Sequence, residues 1–217
     1  MAGNSFIDSY KRAIDVILDP VIFTNDTMNI KSGIVKLYTI GLIPLLLCII
    51  INILFGSSIA NSSSLNISFS SLPLYGTILA LLEYIPVPFA LLIYAAIYHL
   101  IFGKILRIYR SDFSHVYTAF VYGGFPYMLQ FWLINIPALA FVVIIELFIA
   151  TLNTLITALS NQLGISTGKA FGTFILLFII TVIILTVETT HSELSAPLIQ
   201  GLNGSTGYGG VQLNSSP

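Results

Sequence analysis

The sequence predicts an all-α fold: a polytopic integral membrane bundle of five transmembrane helices, preceded by an N-terminal amphipathic helix lying in the membrane interface. Three observations lead there. Of the 217 residues, 56% are hydrophobic and 8% charged, against about a quarter charged in soluble domains. With a mean hydropathy of +0.95, the chain has too little polar surface to face water as a soluble domain. Apolar runs of bilayer-spanning length recur along it, divided by short polar connections. The eight basic residues are distributed so that five crossings place all of them on one side.

The order of segments follows from these runs. Residues 4–19 have helical periodicity, with Phe6, Ile7, Tyr10, Ala13, Ile14, Ile17 and Leu18 on one face and Asp8, Lys11, Arg12 and Asp15 on the other. Ser5 with Asp8 has capping-box spacing. Pro20 ends the helix by excluding Asp19 from helical geometry. The amphipathic pattern places this segment in the membrane plane. Residues 34–55 form the first span, with Pro44 as a kink position, and 56–71 a Ser/Asn loop. The apolar run 72–102 is too long for one straight span and is interrupted by Glu83 and by Pro86 and Pro88. It reads as a short re-entrant or interfacial helix over 74–84 and a second span over 87–102, or else as one tilted, kinked helix.

Residues 116–134 form the third span, broken near Gly123, Gly124 and Pro126; 135–137 turn tightly into a fourth span over 137–157. A polar loop over 161–169 leads to a fifth span over 170–187, preceded by Gly168 and Gly172 in the small-xxx-small spacing of helix contacts. The chain thus divides into 1–32, the interfacial helix and turn; 33–190, the membrane domain; and 191–217, a Gly/Ser/Asn tail of disordered composition.

Lys11, Arg12, Lys31 and Lys36 precede or begin the first span, Lys104, Arg107 and Arg110 lie between the second and third, and Lys169 lies between the fourth and fifth. This pattern makes the chain a multi-pass cell-membrane protein with a cytoplasmic N-terminus and an extracytoplasmic C-terminus. The N-x-S/T triplets at Asn61, Asn66, Asn203 and Asn214 fall on the outer side, where they are glycosylation acceptors by sequence; Asn25 falls inside.

Function classes narrow accordingly. A net charge of −1 gives no electrostatic footprint for nucleic acid. Cys48 is the one cysteine, so no intrachain disulfide forms. His99, His115 and His191 are too scattered for a metal site, and no cofactor is implied. A Ser/His/Asp set is missing from the membrane region, and residues 164–169 lack the spacing and the preceding strand of a phosphate loop. The chain reads as a non-enzyme. Its one intramembrane polar candidate is Glu146, with Asn153 and Thr157 seven and eleven positions on and His99 as a cross-helix partner. A carboxylate deep in a span is expected to face the bundle interior, either as a protonatable or ligand site or as a hydrogen-bonded packing group. Glu83, beside the break at Pro86 and Pro88, is expected either to cap broken backbone or, as the preferred reading, to sit at the outer interface.

At the third span the order of features resembles the Yip domain family, polytopic proteins named for interaction with Ypt/Rab GTPases. The matching residues are the Asp19-Pro20 helix exit, His99, the basic loop into Phe113, the stretch Tyr122-Gly-Gly-Phe-Pro126, and Leu163-Gly-Ile-Ser-Thr-Gly-Lys-Ala170. The resemblance covers residues 6–187 and is that of a short, archaeal-like member. It implies five spans, a cytoplasmic N-terminus, and a role in organising membranes or scaffolding other membrane chains. The long cytoplasmic N-terminal region of eukaryotic members is largely missing, which puts Rab-type GTPase binding in doubt. The expected partners are the lipid bilayer and other membrane chains or further copies of this one. An accessory subunit of a respiratory or transport complex, and a small transporter using Glu146, are the alternative readings.

Overall fold

A computed structural model describes residues 6–23, 26–62, 72–136, 138–183 and 186. Among these the chain is helical and no strand occurs. It divides into two units at Thr173. The first holds α1 (Phe6–Leu18), a 3-10 turn (Pro20–Phe23), α2 (Ile30–Ser62), α3 (Leu72–Tyr84), α4 (Pro86–Tyr98), a π-helical turn (His99–Ile105), α5 (Phe113–Ile134) and α6 (Ala140–Leu163). A further helix, α7 (Thr167–Ile183), begins in the first unit, and its part beyond Thr173 belongs to the second. The second unit is otherwise described only at 186.

Three helical stretches among the described residues are long and apolar enough to cross a membrane: Ile30–Leu54, Gly76–Ile105 and Ala140–Leu163. Their outward surfaces carry large apolar side chains, such as Leu46 and Leu54 on α2, Phe89 and Ile93 on α4, and Phe141 and Phe148 on α6. Apolar side chains turned outward in this density suit a hydrocarbon environment.

α5 is the exception, and its position explains why. Every residue from 116 to 126 is buried, and no residue of the helix is exposed. It sits among α2, α4 and α6, so its Tyr, Thr and Gly residues meet protein on every side. α2 and α5 run parallel. The Tyr117 hydroxyl donates to the Ile30 carbonyl at 3.2 Å, and the Asn135 amide to Cys48 Sγ at 3.2 Å, both pairs 87 positions apart. Parallel neighbours require the chain to return between them, and α3 with α4 makes that return. Gly76 lies beside Asn52, and the Tyr38 hydroxyl reaches the Ile85 carbonyl at 2.9 Å. α6 then runs antiparallel to α5, with Leu155 against Gly123 and Gln162 against His115.

Several expectations change. The apolar run from 72 is not a re-entrant segment followed by a separate span but one nearly continuous helix. Ile85 keeps helical dihedrals (φ −64°, ψ −44°) and its N–H still reaches the Leu81 carbonyl at 2.9 Å. Pro86 is tolerated because it stands at the first position of α4, where a missing donor costs little. The break expected at Gly123, Gly124 and Pro126 is also absent, since α5 is helical throughout with Pro126 inside it. The glycines serve packing instead. A Cβ at Gly123 would lie 2.8 Å from Leu155 Cβ, and one at Gly124 2.5 Å from Leu91 Cδ1. Neighbouring helices neutralise the backbone cost of Pro and Gly in such bundles. α2 continues through Ser62, beyond the loop start expected at 56, and Asn61 lies in its last turn. α6 likewise extends to Leu163, into the expected loop, and ends at Gly164 in the left-handed conformation (φ 62°). The added Cβ of Gly168 or Gly172 meets nothing within 4 Å, so their spacing marks no close helix contact among the described residues. Ser5, Asn66, Asn203, Asn214 and the tail from 191 lie outside the described residues.

Candidate functional site

The polar side chains gather in three places, each built by a different piece of the fold. The first surrounds α1. Asp19 closes that helix, its N–H reaching the Asp15 carbonyl at 2.8 Å, while its Oδ1 accepts the Val21 N–H at 3.2 Å and turns the chain into Pro20. α1 lies against α2, α5 and α6. Ala13 and Val16 are buried there, whereas Ile7 is 74% and Leu18 78% exposed. The helix therefore has a protein-facing side, a charged side and a free apolar side. Arg12, expected on the solvent face, instead forms an ion pair with Asp26, and Lys36 and Tyr122 line the same small crevice. The Tyr10 hydroxyl donates to the Ile40 carbonyl and accepts the Ile43 N–H. Burial raises the Tyr10 phenol above its usual 10.0, and the Ile43 hydrogen bond opposes that rise.

Nearby, the segment leading into α2 is clamped to α5 and α6. The Met28 N–H donates to Thr118 Oγ1 at 2.7 Å. The Gln162 amide donates to the Asp26 carbonyl at 2.9 Å, and its Oε1 meets His115 Nδ1 at 3.0 Å.

The second place lies where α3 meets α2 and the end of α5. Glu83 is half-buried there. Its Oε2 accepts from the Asn135 amide at 3.0 Å and from the Cys48 thiol at 3.5 Å, and Cys48 Sγ accepts from Asn52 at 3.4 Å and Asn135 at 3.2 Å. This cluster ties α3 to α2 and to the end of α5, one turn before the Pro86 joint. A half-buried carboxylate is tolerable when hydrogen-bonded in this way. Sequence reasoning missed the set, although Cys48 and Asn52 are spaced four apart and so share a face of α2.

The third place is outward. Glu146 was expected to face the interior, but the buried stripe of α6 runs through Val143, Leu147, Thr154, Leu155, Ala158 and Leu159. Glu146 falls beside that stripe and is exposed, as is Asn153. Both line a groove of about 510 Å³ between α6 and Ile17 of α1. Thr157 is half-buried and does not line the groove. His99 is not its partner: His99 Nδ1 meets the Tyr109 hydroxyl at 3.3 Å and its ring stands edge-on to Phe113. The four residues named from sequence therefore separate into a pair on α6, Glu146 and Asn153, and two unrelated positions.

His99 belongs to an aromatic set joining the π-helical turn to α5. Tyr98 stacks on Tyr109, lies tilted against Phe102 and edge-on to Phe120, and its hydroxyl pairs with Thr173 Oγ1 at 2.6 Å. Arg107 leaves the turn at φ 52°, and the Ile108 N–H reaches the Phe102 carbonyl at 2.8 Å. Tyr109 lies in the connection to α5, where burial and the neighbouring Tyr98 raise its phenol above 10.0. Among the described residues no group of His, Cys, Asp and Glu could hold a metal ion.

No protein-family model, curated protein or solved structure matches this chain.

Proposed function

We propose that this chain is a non-enzymatic, Yip-like membrane protein of five crossings that organises the bilayer and other membrane chains around itself. The crossings are α2, the broken helix α3–α4, α5, α6 and α7, with the N-terminus cytoplasmic and the C-terminus outside. The observation that carries the reading is the contrast between α5 and the helices around it. A core helix packed on all sides by protein, inside helices whose outward faces are apolar, is the build of a packed membrane bundle. Its axis is filled by Tyr117, Phe120, Tyr122 and Phe125. A transport reading through Glu146 and His99 draws no support from their separation.

α1 supplies a lipid-facing part of this reading. Its free apolar stripe, Ile7, Ile14 and Leu18, faces lipid beside the bundle, while Arg12, Asp26 and Lys36 hold it there. The kinship rests on residue order, and in this reading Gly123 and Gly124 act as the contact surface of the central helix.

Two measurements test it. Thiols introduced at residues 65 and 205 should both be reached from outside the cell; cytoplasmic labelling of either overturns the topology. A probe on α1 should be quenched by lipid-attached quenchers, and Ile14→Asp should reduce that quenching without preventing insertion. Unchanged quenching removes the lipid-facing role of α1. The accessory-subunit reading is favoured by one observation, the outward polar pair on α6.

A further inference from the structure

We propose that the groove between α1 and α6 receives a transmembrane helix of another membrane protein, one that presents a lysine or arginine to Glu146. The inference rests on the reading of the chain as a membrane bundle that associates with other chains, and it specifies the chemistry of one such partner.

Glu146 is exposed on a helix whose outward face is otherwise apolar: Val142, Ile145 and Ile149 surround it. Among the described residues it has no hydrogen bond and no ion pair. An ionisable group turned toward hydrocarbon is costly, and the cost falls when a charge of opposite sign is brought to it. The groove is wide enough for such an approach, about 510 Å³, and α1 walls one side of it with Ile17.

The shape of the polar surface selects the kind of partner. Glu146, Ala150 and Asn153 follow one another at four and three positions, so they form a single row along α6. The small residue in the middle permits close backbone approach, as at other membrane helix contacts. The carboxylate and the amide are separated by seven residues, about 10 Å along the axis. A second helix with polar groups at the same spacing meets both. A lipid amine meets the carboxylate but not the amide two turns away. A second copy of this chain docking through the same face brings a second carboxylate to the same depth, and like charges oppose that pairing.

The test uses the full chain, reconstituted in phosphatidylcholine vesicles, and a synthetic single-span Leu/Ala peptide with one central lysine. Matching peptides carry leucine or glutamate at that position, and association is read by energy transfer. The lysine peptide should bind about tenfold better than the leucine peptide, the scale of one intramembrane polar contact. The glutamate peptide should gain nothing. Glu146→Gln and Glu146→Leu should each remove the lysine preference, and Asn153→Leu should weaken binding less. The fold of each variant is checked by thermal unfolding followed through Trp132.

Equal binding of the lysine and leucine peptides overturns the proposal, as does a lysine preference that survives Glu146→Leu. Energy transfer between copies that Glu146→Leu abolishes assigns the face to self-association instead. Loss of lysine-peptide binding when phosphatidylethanolamine replaces phosphatidylcholine assigns Glu146 to a lipid amine. If residues 65 and 205 label from outside and no lysine preference is seen, only this inference falls. If they label from the cytoplasm, the function proposed above falls and takes this one with it.

Discussion

Replacing Gly123 with alanine adds one methyl group where α5 and α6 are in close contact. The new Cβ would lie 2.8 Å from Leu155 Cβ, 3.0 Å from its Cδ1 and 3.3 Å from its Cα. Ordinary contact begins near 3.4 Å, so at least half an ångström has to be recovered. Leu155 Cδ1 can swing away, but Cα and Cβ are fixed to the α6 backbone, and the helix itself has to shift. Overpacking of this kind costs about 1–3 kcal/mol. Against it stands the gain from replacing a helix-interior glycine, roughly 0.5–1 kcal/mol. The net expectation is a loss of about 1–2 kcal/mol, or roughly 2–8 °C in melting temperature for a chain of this size. Trp132 is the one tryptophan and lies on α5, so its fluorescence during thermal unfolding in detergent reports on the helix concerned. Gly172→Ala is the matched control, because its Cβ meets nothing within 4 Å and only the helix-propensity gain remains. If Gly123→Ala melts at or above the wild-type temperature, alongside Gly172→Ala, the account of α5 as a helix held by close glycine contacts is wrong.

Other expectations follow from the same geometry. Asn135→Leu removes a donor from both Glu83 and Cys48 and should cost about 1–3 kcal/mol. It should also speed alkylation of Cys48, which is fully buried in the native chain; unchanged protection would mean the cluster is not a joint. Arg107→Gly relieves a left-handed residue at φ 52° and should stabilise the chain by about 1 kcal/mol in the same unfolding assay. A loss of stability would show that the Arg107 side chain matters more than its backbone. The raised pKa of Tyr109 means the folded chain favours the neutral phenol more than the unfolded chain does. Its contribution is complete below pH 10 and disappears as pH rises through the folded value. Ultraviolet titration of the wild type against Tyr109→Phe should show its phenolate appearing only above pH 10, and appearance at or below that pH contradicts its burial.

Much of the architecture was legible because lipid imposes a simple rule on side chains. Runs of Leu, Ile and Phe located α2, α4 and α6, and Asp19-Pro20 marked the end of α1. What composition could not reveal is which side of a helix meets which neighbour. Glu146 illustrates the difficulty, since a rule that places carboxylates inward was overridden by a buried stripe running through Val143 and Leu147. The contacts of Glu83 were hidden for another reason. Its partners lie on α2 and α5, dozens of residues away, and only the register of parallel helices brings Cys48 and Asn135 to it. Gly123, Gly124 and Pro126 suggested a break because local propensity was read without the neighbours that support the backbone.

The enclosure of α5 bears on how the molecule is made. Its surface suits other helices better than acyl chains, so it gains less than α2 or α6 from partitioning into hydrocarbon by itself. During synthesis its retention depends on helices that precede it, and Gly33 and Gly41 of α2 already offer the recesses that Tyr117 and Met128 occupy. The first half of the chain acts as a receptor for the helix at its centre, and damage to the socket on α2 should be felt as failed biogenesis before it is felt as lost stability.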